Sequence, residues 1–247
     1  GSLDMACRKK LNERIAQAKS KKASEALLLI ESPLLTYGVV VRFNEDQTGG
    51  DKSKANSAVQ GLYAAQVIPC SVTRIDDRYL AGRNMPGQKT LAGKQITLVG
   101  CGTIGGYLAE MLVRAGAGTG GGQLTLIDND NLMPNNLGRH RLGFAALFRN
   151  KAFALSLELQ FGLPSAKIRA LPVDVRTANL AGQDLIIDAT GEEALGHWLA
   201  SRMKTLSPML SVWIDGPGTA VRGLFWDRGA TACYRCLYHH AQDGRYQ

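Results

Sequence analysis

The chain has 247 residues and a mass of 26.6 kDa, with 45% hydrophobic and 20% charged residues. This is ordinary globular composition, and it excludes a largely disordered polypeptide. No apolar run approaches the roughly 18 residues that a membrane span needs, so no membrane partner is expected. The net charge of +8 is concentrated at the front, where residues 1–22 carry seven basic side chains against Asp4 and Glu13. Such a surface attracts nucleic acid, anionic lipid or nucleotide phosphates. No aromatic RNA-binding motif accompanies it, so a solvated helix face is the simpler reading and a nucleic-acid partner is not expected.

In chain order, residues 5–22 are polar and helix-favouring. Residues 26–30, 37–43 and 60–68 are apolar strand-like runs, and the polar, glycine-containing stretch 44–57 between them has loop composition. This front part, residues 1–85, is expected to be a small α+β piece. A different rhythm follows. Strand-like runs at 94–99, 123–127, 167–173, 184–188, 208–214 and 223–226 alternate with helical stretches at 106–115 and 150–161. Strand and helix alternating at this interval predict crossover units, hence an α/β domain over 86–247. The expected architecture is a Rossmann-like, mainly parallel sheet with helices on both faces. Such sheets bind ligands at the carboxyl ends of their strands.

The chemistry-bearing residues all fall at those ends. Gly100, Gly102 and Gly105 form G-x-G-x-x-G between a strand and a helix, a pattern that brings backbone amides to phosphate oxygens. Asp128 ends the next strand and is placed to accept hydrogen bonds from ribose hydroxyls. Immediately after it comes the dense polar run containing Asp130, Asn136, Arg139 and His140, and Lys151 opens the following helix. Cations and amides of this kind serve phosphoryl or nucleotidyl transfer, whose transition state spreads negative charge over phosphate oxygens. The five cysteines do not form a secreted disulfide framework. Cys7, Cys70 and Cys101 are isolated and expected to be inert, while Cys233 and Cys236 form a C-x-x-C that suits half of a zinc site. A reduced, cytoplasmic chain fits this usage.

The glycine turn, LIDND at 126–130, NLGRH at 136–140, Lys151 and CYRCL at 233–237 stand in one order. Together they resemble the ThiF/MoeB/HesA superfamily, the adenylating domain of ubiquitin-activating enzymes, over residues 87–240. Asn-Leu-Gly-Arg-His, with His140 where sulfur-carrier activators usually place Gln, and RIDDRYL at 74–80 resemble the bacterial branch. That branch includes the ubiquitin-transfer-like proteins of antiphage (CBASS) operons.

The resemblance implies ATP-dependent adenylation of a protein's C-terminal carboxylate, usually on Gly, with the acyl-adenylate then passed to a thiol and on to a conjugating-enzyme-like partner or domain. Gly100, Gly102 and Gly105 would lie under the nucleotide, Asp128 would hold ribose, and Asn136, Arg139 and Lys151 would hold the phosphates. It also implies a homodimer, with Arg78 and Arg83 as candidates for an arginine reaching a partner's site, and Mg²⁺ and structural Zn²⁺ as cofactors.

Two departures stand out. The Mg²⁺-binding acid of a Thr-Asp-Asn run is replaced by Gly191, which leaves Asp188, Glu192 or Asp130 as metal ligands. Only one C-x-x-C is present, so the second zinc pair and the nucleophilic cysteine are expected beyond Gln247, unless His239 and His240 complete the zinc site. Three alternatives remain open at this stage: an NAD-linked oxidoreductase sharing the glycine turn, a catalytically impaired nucleotide-binding partner, and a nucleic-acid binder using the basic front. His197 and Trp198 are expected to pack, and the glycine-dense stretch 116–122 to provide either flexibility or a path for a glycine-tailed substrate.

Overall fold

A computed structural model describes residues 25–31, 36–42, 66–202, 207–216, 218–228 and 232–242, together with the isolated positions 9, 13, 14 and 17. Most of the expected N-terminal helix, the loop 44–57 and residues 60–65 lie outside the described residues. The chain divides into two units between Arg74 and Ile75.

In the first unit, β1 (Glu25–Glu31), β2 (Thr36–Arg42) and β3 (Gln66–Cys70) form an antiparallel sheet in that order. Glu25 pairs in register with Arg42, and their side chains form an ion pair at 2.8 Å.

The second unit is built on a six-stranded sheet. It contains α1 (Asp77–Asn84), β4 (Gln95–Val99), α2 (Thr103–Arg114), β5 (Gln123–Ile127), α3 (Lys151–Gly162), β6 (Ile168–Leu171), β7 (Leu185–Asp188), α4 (Glu193–Arg202), β8 (Met209–Asp215), β9 (Ala220–Trp226) and α5 (Tyr234–Gln242). The strand order is β6-β5-β4-β7-β8-β9, with five parallel strands and β9 antiparallel at the edge. The central strands are short apolar runs, as a sheet covered on both faces requires. Ile96, Leu98, Leu124 and Leu126 face one core, shared with Leu112 of α2 and with Leu155 and Leu159 of α3. Val99, Ile127 and Ile186 face the other, shared with Leu195 and Leu199 of α4 and with Cys233 just before α5. Chain order reverses beside β4: the path runs outward through β5 and β6, then returns to β7 on the other side. That reversal opens a crevice at the carboxyl ends of β4 and β7.

The glycine-dense turn lies at the opposite end of the sheet. A Cβ on Gly122 would come within 2.5 Å of the Lys94 carbonyl oxygen, and one on Gly118 within 3.0 Å of the Lys167 carbonyl oxygen. Its glycines let the backbones entering β4, β5 and β6 pack against each other. Neither flexibility nor substrate passage is needed to account for them.

Arg141 ties the segment after β5 to two helices. Its Nε donates to Glu110 Oε2 of α2 and its Nη1 to Glu158 Oε1 of α3, both at 2.7 Å, and Glu110 also pairs with Arg114 at 2.6 Å. The Arg141 guanidinium, and then Arg114, hold the Glu110 carboxyl below its usual range. This contribution is therefore present at neutral pH and is lost as acidification protonates Glu110. Arg141 is largely buried, so Arg141→Met leaves Glu110 with one partner and should cost about 1–3 kcal/mol in urea unfolding at pH 7. The difference should shrink below pH 4.

Candidate active site

β4 ends at Val99, and Gly100 turns the chain with φ +87°, its N–H donating to the Ile127 carbonyl at 2.9 Å. A Cβ on Gly100 would lie 2.8 Å from Thr190 Cγ2, and one on Gly105 only 1.9 Å from the Gly100 carbonyl oxygen. These two glycines allow the first turn of α2 to pack onto the end of β4 and against the loop after β7. Gly102 differs: a Cβ there would meet no protein atom within 4 Å. It is the N-cap of α2 and has no side chain to satisfy the helix's first amides. The open space above Gly102 faces a positive helix end whose first amides have no side-chain cap among the described residues, an arrangement suited to cradling an anion.

Asp128 stands beside this cradle and is already tied to it. Its Oδ2 accepts the Cys101 N–H at 2.7 Å, and its Oδ1 accepts the Asp130 N–H at 2.8 Å. A carboxylate has about four acceptor positions, so two remain for hydroxyl donors. Asp130 Oδ2 pairs with Lys151 Nζ at 2.9 Å, and the Lys151 N–H donates to the Asp130 carbonyl at 2.9 Å. Asn150 completes the knot. Its Nδ2 donates to the carbonyls of Asp128 and Asp130, while its Oδ1 caps α3 by accepting the Phe153 N–H. An Asn directly before a helical run is a cap signal in the sequence; its hold on both acids' carbonyls is visible only in three dimensions.

Asn136 closes a short 3-10 turn, Pro134–Asn136, accepting the Met133 N–H at 3.0 Å. Arg139 follows, exposed and without an ion pair among the described residues. The next residue, His140, is buried and reaches back to the glycine turn, its Nε2 lying 2.7 Å from the Cys101 carbonyl oxygen.

The cleft at these strand ends has a volume of about 480 Å³ and is lined by Gly100, Asp128, Asp130, Asp174, Arg176, Thr190 and Glu192 among others. Asn136, Arg139 and Lys151 are not among the lining residues. Lys151 is joined to the wall through Asp130, and Arg139 stands on the segment that His140 ties to the Cys101 carbonyl. Asp188 is buried, and its Oδ1 accepts from both the N–H and the hydroxyl of Thr190, at 3.1 and 2.7 Å. Burial pushes its carboxyl up, partly offset by the Thr190 donors. Gly191 sits at φ +67°, a left-handed conformation natural to glycine. Arg78 and Arg83 are exposed on α1, away from the cleft lining.

Cys233 and Cys236 bring their sulfurs to 3.7 Å across the start of α5. Two thiolates on one tetrahedral zinc, each at about 2.3 Å, stand about 3.8 Å apart, so this pair has the spacing of half a zinc site. No group of three or more His, Cys, Asp or Glu suited to a metal occurs among the described residues, so His239 and His240 do not complete it there. The Cys101 thiol is buried, and burial followed by the Asp128 charge keeps it protonated. Cys7 lies outside the described residues. His197 is enclosed edge-on by Tyr234 and Tyr238, a packing role.

The ThiF family profile matches residues 77–247. The chain belongs to the ThiF family. Among ThiF-related proteins, the ATP-dependent ubiquitin transferase-like protein Cap2 of Pseudomonas aeruginosa is 57% identical over 246 residues, covering 100% of this chain and 45% of that protein. Cap2 of Escherichia coli is 37% identical over 230 residues, covering 85% of this chain and 39% of that protein. The chain thus spans less than half the length of these curated relatives. The molybdopterin-synthase adenylyltransferase of Salmonella typhimurium is 29% identical over 167 residues, 64% of each chain. In fold, the chain is similar to Escherichia coli MccB crystallised with AMPCPP and MccA, with a TM-score of 0.50 and 18% identity over 68% of this chain and 52% of that one. No helix among the described residues is long and apolar enough to cross a membrane.

Proposed function

We propose that this chain binds ATP at the glycine turn and adenylates the C-terminal carboxylate of a protein, as the activating part of a bacterial ubiquitin-transfer-like protein. The observation that carries the reading is the open face of Gly102, set between two sterically obligatory glycines and flanked by Asp128 and the Lys151–Asp130 pair. A phosphate fills the space that a Cβ would occupy, and the acceptor positions left on Asp128 suit ribose hydroxyls. Nothing in this arrangement calls for a nicotinamide. Asn136, Arg139 and Lys151 supply positive charge and donors to the phosphates.

In the reaction, a carboxylate oxygen of the protein tail attacks the α-phosphorus. The bond from that phosphorus to the bridging oxygen breaks, pyrophosphate departs, and an acyl-adenylate remains. Holding the two reactants in line does most of the work. Mg²⁺ would neutralise phosphate charge, and it takes one or two carboxylates alongside phosphates and water. Asp130 and Glu192 both line the cleft and are the carboxylates available for that role, whereas Asp188 is turned to Thr190. The acceptor is a Gly-terminated ubiquitin-like or target protein. A thiol then attacks the acyl carbon, AMP departs, and the resulting thioester passes its acyl group to a conjugating-enzyme-like partner or domain, in the cytoplasm and in an antiphage setting.

A homodimer is part of this reading. Phe153, Leu157 and Phe161 recur at four-residue spacing along α3 and are exposed, with exposed Phe144 and Phe148 preceding them. The exposed apolar ridge that this spacing makes along α3 suits a subunit interface. All the proposed catalytic residues fall within 86–247.

ATP–pyrophosphate exchange that depends on a Gly-terminated protein tests the reading directly. ATP binding without exchange, across all such proteins offered, would favour a non-catalytic nucleotide-binding partner. For the proposed zinc site, the intact protein should carry one zinc per chain. Cys233→Ser should abolish it by metal analysis, and a zinc content unchanged in Cys233→Ser would exclude the pair as ligands.

A further inference from the structure

The imidazole of His140 makes two hydrogen bonds of opposite sense. Its Nδ1 lies 3.0 Å from the Leu142 backbone nitrogen, and its Nε2 lies 2.7 Å from the Cys101 carbonyl oxygen. A backbone N–H can only donate and a carbonyl can only accept. Nδ1 must therefore be unprotonated and Nε2 must carry the hydrogen, which makes the ring neutral. The ring is buried, and its Cε1 stands 3.7 Å from where a Cβ on Gly106 of α2 would lie, so the ring packs at ordinary contact distance over the first turn of that helix. Cys101 is consequently held from both sides, its N–H by Asp128 and its carbonyl by His140.

We propose that His140 is a positioning residue that locks the Arg139-bearing segment to the glycine turn, through Nε2–H to the Cys101 carbonyl and Nδ1 to the Leu142 amide. The proposal rests on the adenylation reading only for its consequence, which is that the cradle and the arginine are set in one geometry before nucleotide arrives. The lock needs the neutral ring. A second proton, on Nδ1, would face the Leu142 N–H with another donor. The charged groups around the ring are Lys151 at the start of α3, Asp128 at the end of β5 and Arg139 on its own segment; the Cys101 thiol is neutral. Burial, reinforced by Lys151 and Arg139 against the opposing pull of the Cys101 carbonyl and Asp128, keeps the ring neutral to lower pH than a free histidine. The lock is therefore complete above about pH 6.5 and is lost as the pH falls through the lowered value.

The test compares His140→Gln and His140→Leu in the intact protein by backbone hydrogen exchange and by equilibrium binding of Mg·ATP. A glutamine amide can donate to Cys101 and accept from Leu142 without titrating, whereas leucine fills the space and does neither. In His140→Leu, exchange at Leu142 should accelerate and ATP affinity should fall, each on the order of tenfold. His140→Gln should stay within about threefold of the parent at pH 7.5, and between pH 7.5 and 5.5 its affinity should change less than the parent's.

If His140→Leu matches the parent in both measurements, or if His140→Gln is as impaired as His140→Leu, the proposal is wrong. Should His140→Leu not fold, the pH comparison between parent and His140→Gln decides alone. Parent protein that binds no ATP defeats the adenylation reading, while exchange at Leu142 still decides the lock.

Discussion

Gly105→Ala should destroy the protein's stability together with its nucleotide site, whereas Gly102→Ala should leave a stable protein that binds ATP poorly. The two glycines are three residues apart in one motif, yet they answer to different constraints. A methyl on Gly105 would sit 1.9 Å from the Gly100 carbonyl oxygen. That oxygen belongs to backbone and cannot swing aside. Relief requires moving the first turn of α2 off β4, which unpacks Ala109 and Leu112 from the core they share with Ile96 and Leu98. A loss of more than about 4 kcal/mol, or failure to fold, is expected. A methyl on Gly102 meets nothing within 4 Å, and its φ of −73° suits any residue. Alanine there should cost within about 1 kcal/mol, the ordinary expense of changing an N-cap. The methyl would, however, occupy the space assigned to a phosphate, and ATP affinity should drop at least about tenfold. Thermal unfolding and calorimetric ATP titration of the two variants separate the roles. A Gly102→Ala protein that binds ATP as the parent does would remove the cradle from the proposed site.

The parallel sheet was legible because β4, β5 and β7 are short, nearly continuous apolar runs punctuated by glycine and acid, a pattern that few other structures explain. Boundaries were less so. Helix α2 begins at Thr103, three residues before the start expected from composition, because Gly105 and Gly106 read as loop residues, although close packing on the Gly100 carbonyl requires Gly105 to be glycine inside the first turn. The glycine-dense turn had the same obscurity: its cause is the nearness of Lys94 and Lys167, which spacing in the chain does not reveal. Within the site, Gly100, Gly102, Gly105, Asp128 and Lys151 stand at strand ends and helix starts, where chain order alone places them near each other. Asn150 and His140 act through backbone carbonyls of distant segments, Asp128, Asp130 and Cys101. A side chain's choice of carbonyl is set by the folded path, so their part could not be read from residue type. Asp188 shows the reverse, since a charged residue at a strand end suggests a ligand contact, yet it is buried against Thr190.

Lys151→Met and Arg139→Ala should both cripple adenylate formation, but only the first should lower stability. Lys151 is nearly buried and neutralises Asp130, which is itself part of the knot that Asn150 ties around the end of β5. Without the ammonium, the Asp130 carboxylate faces the incoming triphosphate uncompensated, adding repulsion where attraction was needed. Exchange of pyrophosphate into ATP should fall on the order of 10²- to 10³-fold, with stability lowered by about 1 kcal/mol. Arg139 is exposed and has no ion pair among the described residues, so Arg139→Ala should leave stability within about 0.5 kcal/mol of the parent. Its charge is then free to be used only when phosphates arrive, and exchange should still fall on the order of 10²-fold. Asp130→Asn, made in the Lys151→Met background, should recover part of the loss by removing the uncompensated charge, an interaction that a double-mutant cycle measures. Arg139→Ala with undiminished exchange would take that residue out of the mechanism, and additive effects of Lys151→Met and Asp130→Asn would show that the pair does not act as one unit.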